Sequence, residues 1–184
     1  MTALANIAWG FGSMARSTAF ESCYRDHRSH VYRWGLQFGL GSARWAEDLT
    51  HDVFVRLLEN PGALESEQEI GAWLYRVTAN LAISRMRRER LAFGKLAAFF
   101  GDGSEPTAPA PDAAVEAKQW AQRAAAAVKK LPPRERALMC MKLFEGRTLE
   151  EIGQTLGMSK GYVSKLLARA TERLRRLDWE VGHA

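Results

Sequence analysis

The stretch Thr148-Leu-Glu-Glu-Ile-Gly-Gln-Thr-Leu-Gly157-Met-Ser-Lys-Gly-Tyr-Val163-Ser-Lys-Leu-Leu-Ala-Arg169 decides how this chain of 184 residues is read. Thr148 to Glu151 is a capping box, in which a threonine hydroxyl and a glutamate carboxylate satisfy free N–H groups at a helix start. The short helix it opens stops at Gly157, which supplies a positive φ without steric cost. Ser159 caps a second helix. Gly153 is the small residue that a close crossing of two short helices needs, and Val163 is the branched side chain that plugs one helix into the other. Ile152, Leu156, Met158, Leu166 and Leu167 supply a small core. Spacing and caps together predict a helix-turn-helix, a unit that lays its second helix in a DNA major groove.

With Val163 and Leu167 facing inward, the outward residues of the second helix are Lys160, Gly161, Ser164, Lys165, Ala168 and Arg169. Ser159 and the N–H groups after it suit a phosphate. Lys165 and Arg169, one turn apart, can reach base edges or phosphates. Arg173, Arg175 and Arg176 read as phosphate contacts or solvated groups. Residues 160–176 therefore form one basic segment, with Glu172 its only acid. A second holds Arg85, Arg87, Arg88 and Arg90 against Glu89. The formal net charge of the chain is only +5, so the positive field is concentrated in these two places. Such concentration suits a polyanion, although basic helix ends also occur on ordinary solvated surfaces.

Working back toward the N-terminus, Pro132-Pro133 separates a helix that starts at Asp112 from one that ends near Glu145-Gly146. Residues 101–117 are proline-containing and acidic, with no basic residue, and read as part of a flexible linker. The front half is also helical. Phe20, Tyr24, His27, Val31, Trp34 and Phe38 recur at helical spacing, and Gly39 and Gly41 end that helix. A second front helix spans about 42–59, stopped by Asn60-Pro61-Gly62. A third spans about 69–90, with Ile70, Trp73, Leu74, Val77 and Leu81 on its apolar face. No stretch alternates with period two for long. The expectation is an all-α chain of two small helical domains, 18–91 and 112–178, joined by a flexible linker at 92–111, with a frayed start at 1–17. Met14 stands as an alternative initiator to Met1.

The second front helix buries Leu49, Val53 and Leu57 and turns Asp48, Asp52, Val55 and Glu59 outward, with His51 beside them. That stripe is either a normal solvated face or a docking surface for a basic partner. On the third helix Arg76, Asn80 and Arg87 share a stripe, with Ser84 at its border, that can follow a nucleic-acid strand. Trp73 reads as core. The polar loop 60–68 next to this face has room for an extruded base.

The order of motifs now resembles a known family. Trp45-Ala-Glu-Asp-Leu-Thr-His-Asp-Val-Phe-Val-Arg-Leu, then Ala72-Trp-Leu-Tyr-Arg-Val-Thr-Ala-Asn-Leu-Ala, then Leu131-Pro-Pro-Arg-Glu-Arg, then the helix-turn-helix, is similar to the extracytoplasmic-function sigma factors of bacterial RNA polymerase, over roughly residues 20–177. The resemblance implies two domains, regions 2 and 4. It implies that region 2 binds core RNA polymerase through Asp48, His51, Asp52, Val55 and Arg56. It implies that region 2 also captures the −10 element of promoter DNA with the 60–68 loop and Arg76, Asn80, Ser84, Arg87 and Arg88. Region 4 would read the −35 element through Ser159, Lys160, Gly161, Ser164, Lys165, Ala168 and Arg169, and the linker would run toward the RNA exit channel. An anti-sigma factor is the further partner implied. This chain departs from the family where His51-Asp52 stands for Gln-Glu, Ser164 for a basic residue and Leu166 for arginine.

Other classes find less support. There is no Gly-rich phosphate loop, H-E-x-x-H or G-x-S-x-G, so no catalytic residue, small-molecule substrate or cofactor is expected. Cys23, His27 and His30 share a helix face, but Cys23 and His30 lie roughly 10 Å apart along the axis, too far for one metal ion. With Cys23 and Cys140 the only cysteines, a disulfide framework is not expected and a reducing cytoplasm is. No run of about 18 apolar residues offers membrane insertion. A free-standing DNA-binding regulator accounts for the back half but leaves the Asp48–Glu59 stripe unexplained.

Overall fold

The computed structural model describes the backbone of residues 3–65, 67–100 and 113–181, with side chains placed for 17–64, 69–92 and 122–177. These residues form α1 (Ala3–Phe38), α2 (Ala43–Leu58), a 3-10 helix (Pro61–Glu65), α3 (Glu67–Phe100), α4 (Ala113–Lys130), α5 (Pro133–Phe144), α6 (Leu149–Leu156) and α7 (Lys160–Val181). No strand occurs among them, so the chain is all-α as expected. By its contacts the chain divides into two units, Met1–Leu81 and Ala82–Ala184, and the division falls inside α3.

In the first unit, α1 and α2 form an antiparallel pair joined by a four-residue turn. Leu40 takes a positive φ of 53° and Gly41 one of 88°. The Gly41 N–H donates to Leu36 O and the Gly39 N–H to Gly35 O, so the last carbonyls of α1 find donors within the turn. Ser42 then caps α2 by accepting from the Trp45 N–H. The helices cross at Gly35, where a β-carbon would lie 3.0 Å from Ala46 Cα. Val31, Phe38, Leu49, Val53 and Leu57 are fully buried around this crossing. The Thr50 hydroxyl, also buried, donates to Ala46 O at 2.7 Å, which removes the cost of taking it out of water. Tyr24 packs edge-on against Phe54 at 4.7 Å and Trp34 against Tyr75 of α3 at 4.9 Å.

Three expectations change here. α1 begins at Ala3, so the start expected to fray is helical; each added residue gains one hydrogen bond once the stripe from Phe20 onward has nucleated the helix. The 60–68 loop is partly a 3-10 helix. α3 continues to Phe100, nine residues into the expected linker, because Leu91 to Phe100 holds no proline and its leucines, alanines and lysine outweigh the single Gly94; the first strong stop is Gly101-Asp102-Gly103. The rest of the expected linker, 101–111, lies outside the described residues.

The second unit carries the helix-turn-helix. α6 has its capping box: the Thr148 N–H donates to Glu151 Oε2 at 2.7 Å, and the Glu151 N–H donates to Thr148 Oγ1 at 3.2 Å. Gly157 ends α6 with φ 65°, and its N–H donates to Gly153 O. Ile152, Val163 and Ala170 are fully buried, and Leu166 nearly so. α5 contributes Ala137, Leu138, Cys140 and Met141 to the same core. Burial in that apolar setting pushes the Cys140 thiol pKa up to about 12.

Candidate nucleic-acid interface

α7 follows its cap, with the Tyr162 N–H donating to Ser159 Oγ at 3.3 Å. All seven residues expected to face a −35 element (Ser159, Lys160, Gly161, Ser164, Lys165, Ala168 and Arg169) are exposed. The inward set differs from expectation. Val163 and Leu166 point in as expected, but Ala170 joins them, and Leu156, Met158 and Leu167 are only half-buried. A spacing of 3 + 4 from Val163 keeps Leu166 and Ala170 with it in one narrow stripe, whereas Leu167 falls at its edge. Tyr162, 43% exposed, also faces solvent, where the sequence reading assigned it no role.

Ion pairing sorts the positive charges of α7. Lys160 Nζ lies 3.7 Å from Glu150 Oε2 of α6. Arg175 pairs with Glu172, and Arg176 Nε lies 3.0 Å from Glu172 Oε1. Glu172 is held below the usual carboxylate range, mainly by the Arg176 hydrogen bond and then by both guanidinium charges. Arg173 Nε lies 3.2 Å from Glu135 Oε2 of α5. Expected as a phosphate contact or a solvated group, Arg173 instead stands as an ion-pair partner beside a buried carboxylate of another helix, although Glu135 Oε2 accepts no hydrogen bond. Among the described residues Lys165 and Arg169 make no ion pair, so their charge remains available outward.

On α3, Arg76, Asn80, Ser84, Arg87 and Arg88 are all exposed. Arg85 spends its charge on Glu89 at 3.5 Å, whereas Arg76, Arg87 and Arg88 make no ion pair among the described residues. The buried face is Ile70, Leu74, Tyr75, Thr78, Ala79, Ala82, Ile83 and Met86. That face corrects the expected one: Trp73, Val77 and Leu81 are only half-buried. At 100° per residue, Trp73 sits opposite the centre of the buried stripe, on the Arg76–Asn80–Ser84 side. The small residues Thr78, Ala79 and Ala82 take the core instead, and the Thr78 hydroxyl donates to Leu74 O at 2.7 Å.

A third face lies on α2. Asp48, His51, Asp52, Val55, Arg56 and Glu59 are exposed, Val55 by 39%, and Leu58 extends the apolar part at 58%. Arg56 pairs with Glu59 at 3.1 Å, which leaves Asp52 as an acid of this face with no ion pair among the described residues. Among the described residues no group of three His, Cys, Asp or Glu side chains gathers to hold a metal ion, and no helix is long and apolar enough to cross a membrane. His27 and His30 stand with ring centres 6.4 Å apart, and His27 is half-buried rather than core.

Comparison with known proteins adds to this geometry. Residues 23–92 match the family model for sigma-70 region 2 and residues 127–176 that for sigma-70 region 4. The chain is 31% identical over 179 residues to the ECF RNA polymerase sigma factor SigE of Mycolicibacterium smegmatis, covering 94% of this chain and 66% of SigE. It is 26% identical to BldN of Streptomyces coelicolor, over 86% of this chain and 60% of BldN, so it spans about two thirds or less of these two relatives. It is 28% identical to SigW of Bacillus subtilis, over 86% of this chain and 88% of SigW. Among solved structures, the sigma factor RpoE in complex with the anti-sigma factor NepR from Bartonella quintana has a similar fold, with TM-score 0.55, 20% identity, and 86% and 95% of the two chains covered. With both regions matched in order along most of its length, the chain belongs to the sigma-70 family, and the relatives it is similar to are ECF RNA polymerase sigma factors.

Proposed function

We propose that this protein is a sigma factor that binds core RNA polymerase and directs promoter-specific initiation. Region 2, assigned to 18–91, captures the −10 element through Arg76, Asn80, Ser84, Arg87 and Arg88, with Trp73 added from its exposed side of α3. Region 4, assigned to 112–178, reads the −35 element through α7. Asp48, His51, Asp52, Val55 and Arg56 dock on the polymerase. The observation that carries this reading is the sorting of charge on α7, where Lys165 and Arg169 face outward uncommitted while their basic neighbours hold carboxylates. Protein cations left without an internal partner release counterions when they meet phosphates, which drives binding to duplex DNA.

The protein supplies recognition and no bond-making step of its own; it acts in the cytoplasm, where polymerase and promoters are. Control in trans by an anti-sigma factor suits a chain whose DNA and polymerase faces are all exposed, since one partner can cover them. The test is run-off transcription with core polymerase on the promoter upstream of its own operon. Specific transcripts that need this protein support the reading. Duplex binding without co-purification of core polymerase would instead identify a free-standing DNA-binding regulator.

A further inference from the structure

The Glu135–Arg173 pair offers more than stability. Glu135 lies in the first turn of α5, directly after Pro132 and Pro133, and its side chain is 5% exposed. Arg173 reaches it from α7, one turn after Arg169 and two turns after Lys165, with its own side chain 54% exposed. A carboxylate buried to this extent is costly to leave without a cation beside it. Proline fixes φ, so the first turn of α5 is a stiff base for that carboxylate. Arg173 thus has a choice between an internal carboxylate in a poorly solvated site and a DNA phosphate in water.

We propose that Glu135 is a positioning residue that withholds Arg173 from DNA, lowering sequence-independent grip and fixing the angle at which α7 presents Lys165 and Arg169. The proposal rests on the sigma-factor reading of α7. Phosphate contacts carry no sequence information, and each one adds both affinity and salt dependence. A cation removed from that pool leaves discrimination to the residues that reach base edges. A helix pinned to α5 beyond its recognition segment also holds those residues in one register.

The test uses the full chain and the variants E135Q, R173A and the charge swap E135R/R173E, each checked by circular dichroism. The probe is a duplex pool with a randomised central segment, from which the wild-type chain selects its preferred sequence. Affinities for the selected duplex and the unselected pool are then measured across a salt series. E135Q is expected to bind the unselected pool more tightly, with the slope of log K against log salt steeper by about 0.9, the value for one added phosphate contact. Its ratio of selected to unselected affinity should fall about tenfold, and the charge swap should restore that ratio. R173A should leave the slope at the wild-type value. A slope shallower by about 0.9 in R173A overturns the proposal, because Arg173 would then already hold a phosphate. So does an E135Q variant that loses both affinities together, which is what a merely structural role produces. If E135Q does not fold, the R173A slope decides alone. A wild-type chain that selects no sequence overturns this proposal, as does a selecting wild-type chain with an unaltered E135Q, whereas the sigma-factor reading stands or falls separately on run-off transcription with core polymerase.

Discussion

Gly153 and Met158 meet backbone to backbone: a β-carbon on Gly153 would stand 2.6 Å from the Met158 carbonyl oxygen. Neither side of that contact is a side chain that can rotate away. Gly153→Ala is therefore expected to destabilise the helix-turn-helix by about 1–3 kcal/mol, the range for forced overpacking. Gly157→Ala acts differently, through its φ of 65°, and should cost about 1 kcal/mol. Thermal melts of the two variants check the order. A Gly153→Ala protein as stable as wild type would mean that the turn relaxes.

The capping box makes acid sensitivity local. Hydrogen bonds from the Thr148 N–H and hydroxyl hold the Glu151 carboxyl below its ordinary range. A carboxyl lowered by folding contributes stability above its unfolded pKa and loses it as pH falls through the folded one. Thr148→Ala should cost about 1 kcal/mol at neutral pH, as loss of an N-cap does. Glu151→Gln should flatten the acid limb of the stability curve. Denaturant titrations at several pH values below the ordinary glutamate range provide the check.

The alkaline limb belongs to Cys140. Its thiol titrates near 9 when unfolded and about 12 when folded, so the unfolded state loses its proton first and stability falls as pH rises between them. Cys140→Ala should reduce that decline, with the Cys23 thiol, also raised by burial, accounting for part of what remains. Native Cys140 should also resist a thiol reagent at pH 8 and react once denaturant is added. Rapid labelling of the native protein at Cys140 would contradict the burial.

Polymerase and promoter functions should separate by mutation. Asp52→Arg is expected to abolish capture of core polymerase while helical content stays unchanged, since Asp52 is exposed on α2. Lys165→Ala and Arg169→Ala should keep polymerase capture and lose −35-dependent transcription. Pull-down and run-off assays on the same preparations distinguish the two classes. Normal polymerase capture by Asp52→Arg would reassign the docking face.

Trp73 and Leu74 are neighbours with opposite roles. Leu74 is fully buried, so Leu74→Ala should cost about 2–5 kcal/mol. Trp73→Ala should cost much less stability yet impair strand opening, read by 2-aminopurine fluorescence in the −10 region. Equal loss of stability in both variants would return Trp73 to the core.

What could be read from sequence was what local chemistry decides. Thr148, Glu151, Gly157 and Ser159 act within a few residues of themselves, so caps and the turn were legible. Exposed polar positions on α2, α3 and α7 followed from period alone. Apolar character misplaces Trp73, because the core face of α3 uses Thr78, Ala79 and Ala82, which hydropathy does not single out. Leu167 went astray for a related reason: one residue is 100° of rotation, and only the position of α5 and α6 chooses between Leu166 and Leu167. The Glu135–Arg173 pair joins residues on different helices, and no spacing along the chain announces it. The α3 end at Phe100 is hard to read because the apolar periodicity fades after Leu81, while no proline interrupts the helix before Gly101.

The tight Gly35–Ala46 crossing bears on the order in which the molecule is made. Its partners are separated by a four-residue turn, so the contact is local, and local contacts form quickly because little chain entropy is spent on closing them. Ribosomes add roughly 5–20 residues per second, and roughly 100 residues still follow Met86, the last buried residue among the described side chains of α3. The front helices therefore have some 5–20 seconds to assemble, against the microseconds to milliseconds typical of helical units, before α7 is finished. The half to which we assign polymerase docking should be folded while the half carrying the helix-turn-helix is still being synthesised.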